Sequence, residues 1–230
     1  MADSNFSSES VMENAKKELR KKAKKALSSI SEVQCSQWSY RICQNIFDSG
    51  ILDTHDVFLA FYPSKKEVDI VPVLKKILSE GKRLALPVCN DSFGHMEFRL
   101  ISEKTGLEES LKEGMWKIME PDILKTEALD LSALENKKVL CLVPGLVFSK
   151  EGFRLGKGKG YYDRFFSELE KNNLSAEKVG VCFEMMMAGS ENSSLFSEEE
   201  IRLASESHDV KLDALVTERR IVFVPIAENL

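Results

Sequence analysis

The residues best suited to chemistry lie together in one basic, glycine-rich segment in the second half of the chain. Three glycines, Gly156, Gly158 and Gly160, alternate with two lysines, Lys157 and Lys159. Glycine lets backbone N–H groups approach an anion closely, and each lysine adds a positive charge. The segment follows a predicted strand and leads into a predicted helix, whose first turn offers free N–H groups at the positive end of its dipole. The pattern predicts a phosphate-binding loop.

This loop differs from the two common phosphate-binding sequences. Between Gly152 and Gly156 there is one residue too few for Walker A, and Gly158 stands where that motif has the Ser or Thr that holds magnesium. The sequence is not G-x-G-x-x-G at a strand–helix turn either. A flexible surface loop of Gly and Lys is the alternative. Asp163, just past the loop, is either a magnesium ligand or a solvated acid in the first turn of a helix, where acids are favoured.

A second basic feature lies near the amino terminus. Seven of the ten residues from 16 to 25 are Lys or Arg. Taken alone, this pattern indicates a solvated helix face or a weak nucleic-acid-binding arm. If the helix packs beside the glycine-rich loop, Lys16 and Arg20 lie on one face at i and i+4, where they could clamp a polyphosphate together.

Predicted strands and helices alternate along the chain and must position these features. The predicted strands span residues 57–62, 83–88, 96–101, 138–143, 179–183, 214–217 and 221–224, and the predicted helices span 16–30, 31–50, 72–81 and 161–171. Such alternation predicts a mostly parallel α/β sheet, which binds ligands at the carboxyl ends of its strands. Residues 1–12 are predicted to be a disordered tail, 102–136 to be irregular or partly helical, and the acidic stretch 191–200 to be a surface loop.

Composition narrows the class of protein. The chain has 230 residues and a net charge of −5, which argues against a protein that coats nucleic acid. Its five cysteines include no C-x-x-C pair, and with three histidines they form no zinc-ligand spacing. We therefore expect reduced thiols and a cytoplasmic location. No stretch approaches the roughly 20 apolar residues that span a bilayer, and the polar amino terminus is unlike a signal peptide.

The segment Arg154-Leu-Gly-Lys-Gly-Lys-Gly-Tyr-Tyr-Asp163 strongly resembles the signature of the 5-formyltetrahydrofolate cyclo-ligase family, also called methenyltetrahydrofolate synthetase. Weaker similarities follow in the family's order and cover most of the chain. They are Lys16-Lys-Glu-Leu-Arg20, Glu67-Val-Asp69, Trp116 with Glu120-Pro121, His208-Asp209-Val-Lys-Leu-Asp213, and Thr217-Glu218.

The resemblance implies a fold and an activity. The fold would be one domain over residues 13–230, with a three-layer, Rossmann-like arrangement of the kind found in NagB, RpiA and CoA-transferases. The activity would be the closure of 5-formyltetrahydrofolate to 5,10-methenyltetrahydrofolate, with ATP and Mg²⁺ required and ADP and phosphate released. ATP would phosphorylate the formyl oxygen, and N10 would then attack the formyl carbon. A monomer without nucleic-acid or membrane partners is implied.

The resemblance also implies roles for individual residues. The implied ATP contacts are Lys16, Lys17, Arg20, Arg154, Leu155, Gly156, Lys157, Gly158, Lys159, Gly160, Tyr161 and Tyr162. The implied folate contacts are Phe61, Glu67, Trp116, Gly158, Lys159, Gly160 and Tyr161. Arg154, Lys159 and Tyr161 would act at the reacting formyl group, and Asp163 and Asp209 would hold magnesium.

Several alternatives stay open at this point. Core packing is the alternative role for Trp116, Tyr161 and Tyr162, and His208 is predicted to be a turn residue. The sequence also departs from the family, because Ser149 stands where the family often has Asp and residues 183–187 lack a common Gln. A related enzyme acting on another small molecule is one alternative function. A basic-helix module that binds RNA or an acidic partner is another.

Overall fold

The computed structural model describes residues 3–90, 94–114, 117–191, 195–206 and 209–225. Within these ranges the helices are α1 (Asp3–Ser29), α2 (Glu32–Asp48), α3 (Val71–Ser79), α4 (Tyr161–Lys171) and α5 (Glu198–Ala204). The strands are β1 (Val57–Leu59), β2 (Arg83–Asn90), β3 (His95–Ile101), β4 (Leu111–Glu113), β5 (Met119–Pro121), β6 (Glu127–Ala128), β7 (Val139–Val143), β8 (Val147–Ser149), β9 (Arg154–Leu155), β10 (Glu177–Val181), β11 (Met187–Ala188), β12 (Ala214–Val216) and β13 (Ile221–Phe223).

Eight strands form the main sheet, in the order β13-β12-β10-β7-β1-β2-β3-β6. The five strands from β12 to β2 run parallel, whereas β13, β3 and β6 pair antiparallel at the two edges. Strands β1 and β7 lie at the centre and are buried at every residue, as expected for parallel strands that are covered on both faces. The predicted mostly parallel α/β sheet is confirmed.

The chain leaves the middle of this sheet in both directions. From β1 it passes through α3 to β2, and from β7 it passes through α4 to β10 on the other side. Because strand–helix–strand connections are right-handed, crossovers in opposite directions place their helices on opposite faces. The result is three layers, with a topological switch point between β1 and β7. Ligands of such sheets bind at the carboxyl ends of the strands at this point.

One hydrophobic cluster joins the sheet to all five helices of the described chain. Ala23 of α1, Ile42 of α2 and Ile77 of α3 have no exposed surface, and Phe165 of α4 and Ile201 of α5 are each 4% exposed. The basic helix α1 is therefore anchored by its apolar stripe. Its lysines and arginines lie on the remaining faces of the helix.

Most predicted elements lie close to their predicted positions, and α4 has the predicted bounds. Ser31 begins α2 through the predicted capping box, in which its hydroxyl accepts from Gln34 N at 3.2 Å. α1 differs, because it begins at Asp3 and so includes most of the segment 1–12 that the sequence predicts to be a disordered tail.

Two structures replace predicted loops. Part of the segment after β7 forms a small sheet, in which β8 pairs antiparallel with β9 and parallel with β11. The surface loop predicted for 191–200 is wrong at its end, because α5 begins at Glu198. Its start is a capping box, with Glu200 N donating to the Ser197 hydroxyl at 3.1 Å. Residues 185–187 are three consecutive methionines that end in β11, where Met186 and Met187 are buried in the core.

All five cysteines are free thiols. Burial raises the pKa of Cys43 to about 12, so this thiol is protonated and unreactive at neutral pH. In the part of the chain that the structure describes, no helix is long and apolar enough to cross a membrane.

Candidate functional site

Arg154 is the most enclosed cation of the glycine-rich segment. It lies in β9 with 6% of its side chain exposed, and its Nη2 pairs with Asp163 Oδ1 at 3.1 Å. Its Nη1 donates to the carbonyl of Pro144, the residue after β7, at 3.4 Å. Its Cζ also lies 5.2 Å from the centre of the Tyr162 ring, within cation–π range. These contacts hold a positive charge at the carboxyl end of the central strand.

The glycine-rich loop 156–160 lies against the basic helix. Gly158 has φ +98°, a backbone conformation that residues other than glycine rarely adopt. A Cβ at this position would lie 3.2 Å from Arg20 Cζ. Arg20 Nε in turn donates to the Gly156 carbonyl at 3.2 Å. α1 therefore packs beside the loop, as the clamp suggested for Lys16 and Arg20 requires.

Arg164 supports the far end of the loop and was not predicted from the sequence. Its Nη2 donates to the Lys159 carbonyl and its Nε to the Gly94 carbonyl, both at 2.7 Å. Its Cζ lies 5.4 Å from the centre of the Tyr161 ring. Arg164 thus ties the loop to the strand that follows Gly94. Its place in the first turn of α4, where an acid is usual, is the sequence signal that could have identified it.

Glu67 lies on the loop that follows β1 and meets the glycine-rich loop across the switch point. Its Oε1 pairs with Lys157 Nζ at 2.7 Å. Its Oε2 accepts from the Ser64 backbone N–H at 2.7 Å and from the Ser64 hydroxyl at 2.6 Å. Two residues predicted for different ligands, Glu67 for folate and Lys157 for ATP, are therefore in direct contact.

Lys16 joins α1 to the segment before β12. Its ammonium contacts the carboxylate of Glu206 and lies 4.0 Å from Asp209 Oδ1. Asp209 Oδ2 accepts from the Glu206 backbone N–H at 2.7 Å. The two predicted magnesium ligands thus have different cationic neighbours, Lys16 for Asp209 and Arg154 for Asp163. Among the described residues, no three His, Cys, Asp or Glu side chains converge in a way that could hold a metal ion.

The two tyrosines that open α4 differ in their surroundings. Tyr162 packs against Phe166, with ring centroids 6.1 Å apart, and its buried hydroxyl has no hydrogen-bond partner among the described residues. Burial raises the pKa of Tyr162 well above its ordinary value. Tyr161 is half-buried beside Arg164. Tyr162 therefore has the packing role that the sequence left open.

The remaining residues predicted to contact ATP or folate are buried in the core, exposed at the surface, or outside the described ranges. Phe61 and Leu155 belong to the core, at 4% and 3% exposure, so little of either side chain is available to a ligand. Lys17 and Lys159 are exposed. Trp116 and His208 lie outside the described residues.

Ser149, a departure from the family pattern, has a local structural role. It is 1% exposed, and its hydroxyl accepts from the backbone N–H groups of Glu151 and Phe153, each at 3.3 Å. A hydroxyl can therefore satisfy the turn between β8 and β9.

A buried acidic cluster lies after β10 and β12, at the same edge of the sheet, and was not predicted. Glu184 is 1% exposed, and its Oε1 accepts from Ser190 Oγ at 2.6 Å and Arg220 Nη2 at 3.1 Å. Burial opposes its charge, but hydrogen bonds from Ser190 and Thr217 and the charge of Arg220 lower the pKa of Glu184 below its ordinary value. Burial raises the pKa of Glu218, which accepts from Glu184 N at 2.8 Å.

The sequence of this chain is similar to those of known proteins. The sequence model of the 5-formyltetrahydrofolate cyclo-ligase family matches residues 12–218. A protein of Schizosaccharomyces pombe named probable 5-formyltetrahydrofolate cyclo-ligase is 32% identical over 164 residues, which cover 69% of this chain and 72% of that protein. The 5-formyltetrahydrofolate cyclo-ligase of Mus musculus is 27% identical over 90% of this chain and 96% of its own length.

Solved structures give the same picture of the fold. The NMR structure of Aquifex aeolicus 5,10-methenyltetrahydrofolate synthetase matches with a TM-score of 0.70 at 28% identity, covering 94% of this chain and 95% of that chain. The Mycoplasma pneumoniae 5,10-methenyltetrahydrofolate synthetase matches with a TM-score of 0.62 over 88% of this chain and 98% of that chain. Its 19% identity supports the fold alone.

Proposed function

The chain belongs to the 5-formyltetrahydrofolate cyclo-ligase family, and we propose that it closes 5-formyltetrahydrofolate to 5,10-methenyltetrahydrofolate with consumption of ATP. The observation that carries this proposal is the 2.7 Å ion pair between Lys157 and Glu67. It joins a loop suited to phosphate and a carboxylate suited to a pterin across the switch point of the sheet. A ligase that transfers a phosphoryl group to a folate needs these two elements side by side.

The chemical problem is an unreactive formamide. Its nitrogen donates electrons into the carbonyl, so the formyl carbon is a poor electrophile and the oxygen a poor leaving group. In the proposed route the formyl oxygen attacks the terminal phosphorus of ATP and ADP leaves. N10 of the same folate then bonds to the formyl carbon, the C–O bond breaks so that the oxygen departs as phosphate, and the proton of N10 is lost to the phosphate or to water. This route depends on positioning and charge neutralisation rather than on an enzyme nucleophile.

The loop supplies that neutralisation. The backbone N–H groups of residues 156–160 and the start of α4 favour an anion, with Lys16, Lys17 and Arg20 contributing charge from α1. Arg154 and Lys159 stabilise negative charge that develops on the transferred group. Arg154 suits this role because its guanidinium is already held by Pro144 and Asp163, so little reorganisation is needed.

The folate is proposed to lie on the β1 side of the switch point. Glu67 accepts hydrogen bonds from N–H groups of the pterin, and Ser64 orients its carboxylate. Tyr161 lies at the junction with the nucleotide loop and contacts the formyl end of the substrate. Trp116 and the small exposed part of Phe61 are proposed to line the ring-binding surface.

The chemistry of the donor set is consistent with Mg²⁺ that arrives with the nucleotide. Mg²⁺ usually takes one or two protein carboxylates and completes its shell with phosphates and water. Asp163 and Asp209 would hold it, and two carboxylates suffice for such a site. When bound, the ion neutralises charge on the phosphates. Asp163 also pairs with Arg154, and Asp209 lies 4.0 Å from Lys16.

We further propose that residues 13–230 act as one ATP- and folate-binding domain, as a cytoplasmic monomer without nucleic-acid or membrane partners. Several cations of α1 have intramolecular partners, among them Lys16, Arg20 and Lys22, which contact Glu206, Gly156 and Glu200. These contacts favour a role for the basic helix within the site over the alternative of an RNA-binding arm.

The direct test mixes the purified protein with 5-formyltetrahydrofolate, ATP and Mg²⁺ and follows the near-ultraviolet absorbance of the methenyl product. ADP should form in equal amount, and omission of ATP or Mg²⁺ should abolish the signal. ADP formation without a methenyl product, on another small molecule, would favour the alternative of a related kinase or ligase. Nucleic-acid binding that falls log-linearly with salt would favour the RNA-binding alternative.

A further inference from the structure

Both carboxylate oxygens of Glu67 have partners within the protein. Ser64 donates twice to Oε2, through its backbone N–H at 2.7 Å and its hydroxyl at 2.6 Å. Lys157 Nζ pairs with Glu67 Oε1 at 2.7 Å and also donates to the Ser64 hydroxyl at 3.2 Å. Ser64 therefore contacts both members of the ion pair, and the three side chains form one bridge between the β1 loop and the glycine-rich loop.

The β1 side of this bridge is the fixed side. Lys66 has φ +70°, which is uncommon outside glycine, and its ammonium contacts the Ile30 carbonyl at the end of α1. The Glu67 backbone N–H also closes a turn on the Ser64 carbonyl at 3.0 Å. Only 15% of the Glu67 side chain is exposed, against 50% of the Lys157 side chain. Lys157 is thus the partner free to move.

The Glu67 carboxylate and the phosphates of a bound nucleotide then compete for the ammonium of Lys157. A nucleoside triphosphate carries several negative charges and attracts the ammonium more strongly than one carboxylate does. Once Lys157 turns to the phosphates, Oε1 of Glu67 becomes available to N–H donors of a pterin. Because nucleotide binding releases Glu67 from Lys157, it favours folate binding, which is a positive coupling between the two sites.

We infer that Lys157 couples nucleotide binding to folate binding by exchanging Glu67 for the nucleotide phosphates, with Ser64 as the positioning residue that holds Glu67. The inference rests on the proposed function, because it takes the two ligands from it. It adds that the sites are not independent and names the side chain that links them.

The test measures the Kd of 5-formyltetrahydrofolate by calorimetry, with and without the non-hydrolysable β,γ-methylene analogue of ATP and Mg²⁺. In the unaltered protein the analogue should tighten folate binding about tenfold, within the usual range for coupled sites. In Lys157→Gln the effect should fall below about twofold, because Glu67 is already released. Lys65→Gln removes the same charge from an exposed position on the β1 loop and should keep the full effect.

A second pair of variants tests Ser64. Ser64→Ala should raise the folate KM about tenfold with little change in kcat, since one charged hydrogen bond is lost. Ser64→Thr keeps a hydroxyl and should restore the KM, which a general loss of stability would not explain.

The outcomes separate the two proposals. An active enzyme in which Lys157→Gln keeps the unaltered coupling, or in which the analogue weakens folate binding, would overturn the inference and leave the proposed function standing. Absence of binding by both ligands to the unaltered protein would overturn the proposed function itself.

Discussion

At the scale of single residues, the glycines of the loop make room for the arginines that supply its charge. A Cβ on Gly156 would lie 2.7 Å from Arg154 Nη1, and one on Gly158 would lie 3.2 Å from Arg20 Cζ. Either added methyl group would push a guanidinium aside. The alternation of glycine with lysine therefore serves the arginines as well as the backbone amides.

Gly158→Ala tests this arrangement. The added methyl group meets both a φ of +98° and the Arg20 guanidinium, so we expect the KM for ATP to rise about tenfold or more. Gly81→Ala is the matched control, because Gly81 also has a positive φ, of +67°, but its added Cβ would meet nothing within 4 Å. That control should lose about 1 kcal/mol of stability and keep its KM. Equal KM values for the two variants would contradict the assigned role.

Lys159→Ala tests the charge of the loop directly. Removing one donor to the transferred group should lower kcat on the order of 10²-fold while the fold stays intact, as judged by circular dichroism. Lys171→Ala, an exposed lysine in the last turn of α4, should turn over normally. Full activity of Lys159→Ala would remove the catalytic assignment of this lysine.

The side chains that sequence reasoning missed act through tertiary contacts. The partners of Arg164, the Gly94 and Lys159 carbonyls, lie 70 and 5 positions away along the chain. Ser64 contacts Lys157, which lies 93 positions away. A motif identifies residues that act as a local group, such as 154–163. It carries no information on Ser64, whose partner lies far along the chain, or on the contact of Arg164 with Gly94.

At the scale of elements, local signals determined how well each helix could be predicted. α2 carries a capping box at Ser31 and α4 follows a run of glycines, and both were predicted closely. α5 also has a capping box, at Ser197, but its seven residues are too few for a clear apolar period, and the acidic composition of 191–200 favoured a loop. The short strands β8, β9 and β11 depend on pairing with one another, so no single segment predicts them.

Ser31→Ala should reveal how much the cap of α2 contributes. Loss of the Ser31 hydroxyl leaves the Gln34 N–H without its acceptor, so the free energy of unfolding should fall by about 1 kcal/mol and Tm by about 2–4 °C. Urea denaturation measures the first and calorimetry the second. Ser28→Ala, an exposed serine in the last turn of α1, should change neither. The kcat should be unaffected in both variants, because neither hydroxyl reaches the loop.

At the scale of the whole molecule, the topology brings the candidate site together. The loop after β1 and the loop after β7 are neighbours only because the chain leaves these two strands in opposite directions. The same edge carries the Glu184 cluster, after β10 and β12. The loops after β1, β7, β10 and β12 therefore carry the charged groups of the candidate site and of the Glu184 cluster. The exceptions are the residues on α1, α4 and α5 and the two acids before β12, Glu206 and Asp209.

This edge also makes stability depend on pH. The pKa of Glu184 is lowered in the folded state, so its carboxylate contributes stability above its ordinary pKa of 4.5, and this contribution is lost as the pH falls further. Glu218 acts in the opposite direction, because its raised pKa makes the folded state bind a proton more readily than the unfolded chain does. Its contribution therefore grows as the pH falls and offsets part of the loss.

Glu184→Gln isolates the first of these effects. At pH 7 the variant should unfold about 2 kcal/mol more easily, because the partly exposed Arg220 loses a buried charged partner. The difference between the two proteins should shrink as the pH falls below 4.5, because Glu184 becomes protonated first in the unfolded chain and, at lower pH, in the folded protein as well. Urea midpoints measured from pH 7 to pH 3 follow this difference. Glu80→Gln, which weakens two ion pairs near the surface, with Lys76 and Lys82, should show a small difference throughout. A Glu184→Gln difference that stays constant with pH would mean that Glu184 stabilises the fold without its charge.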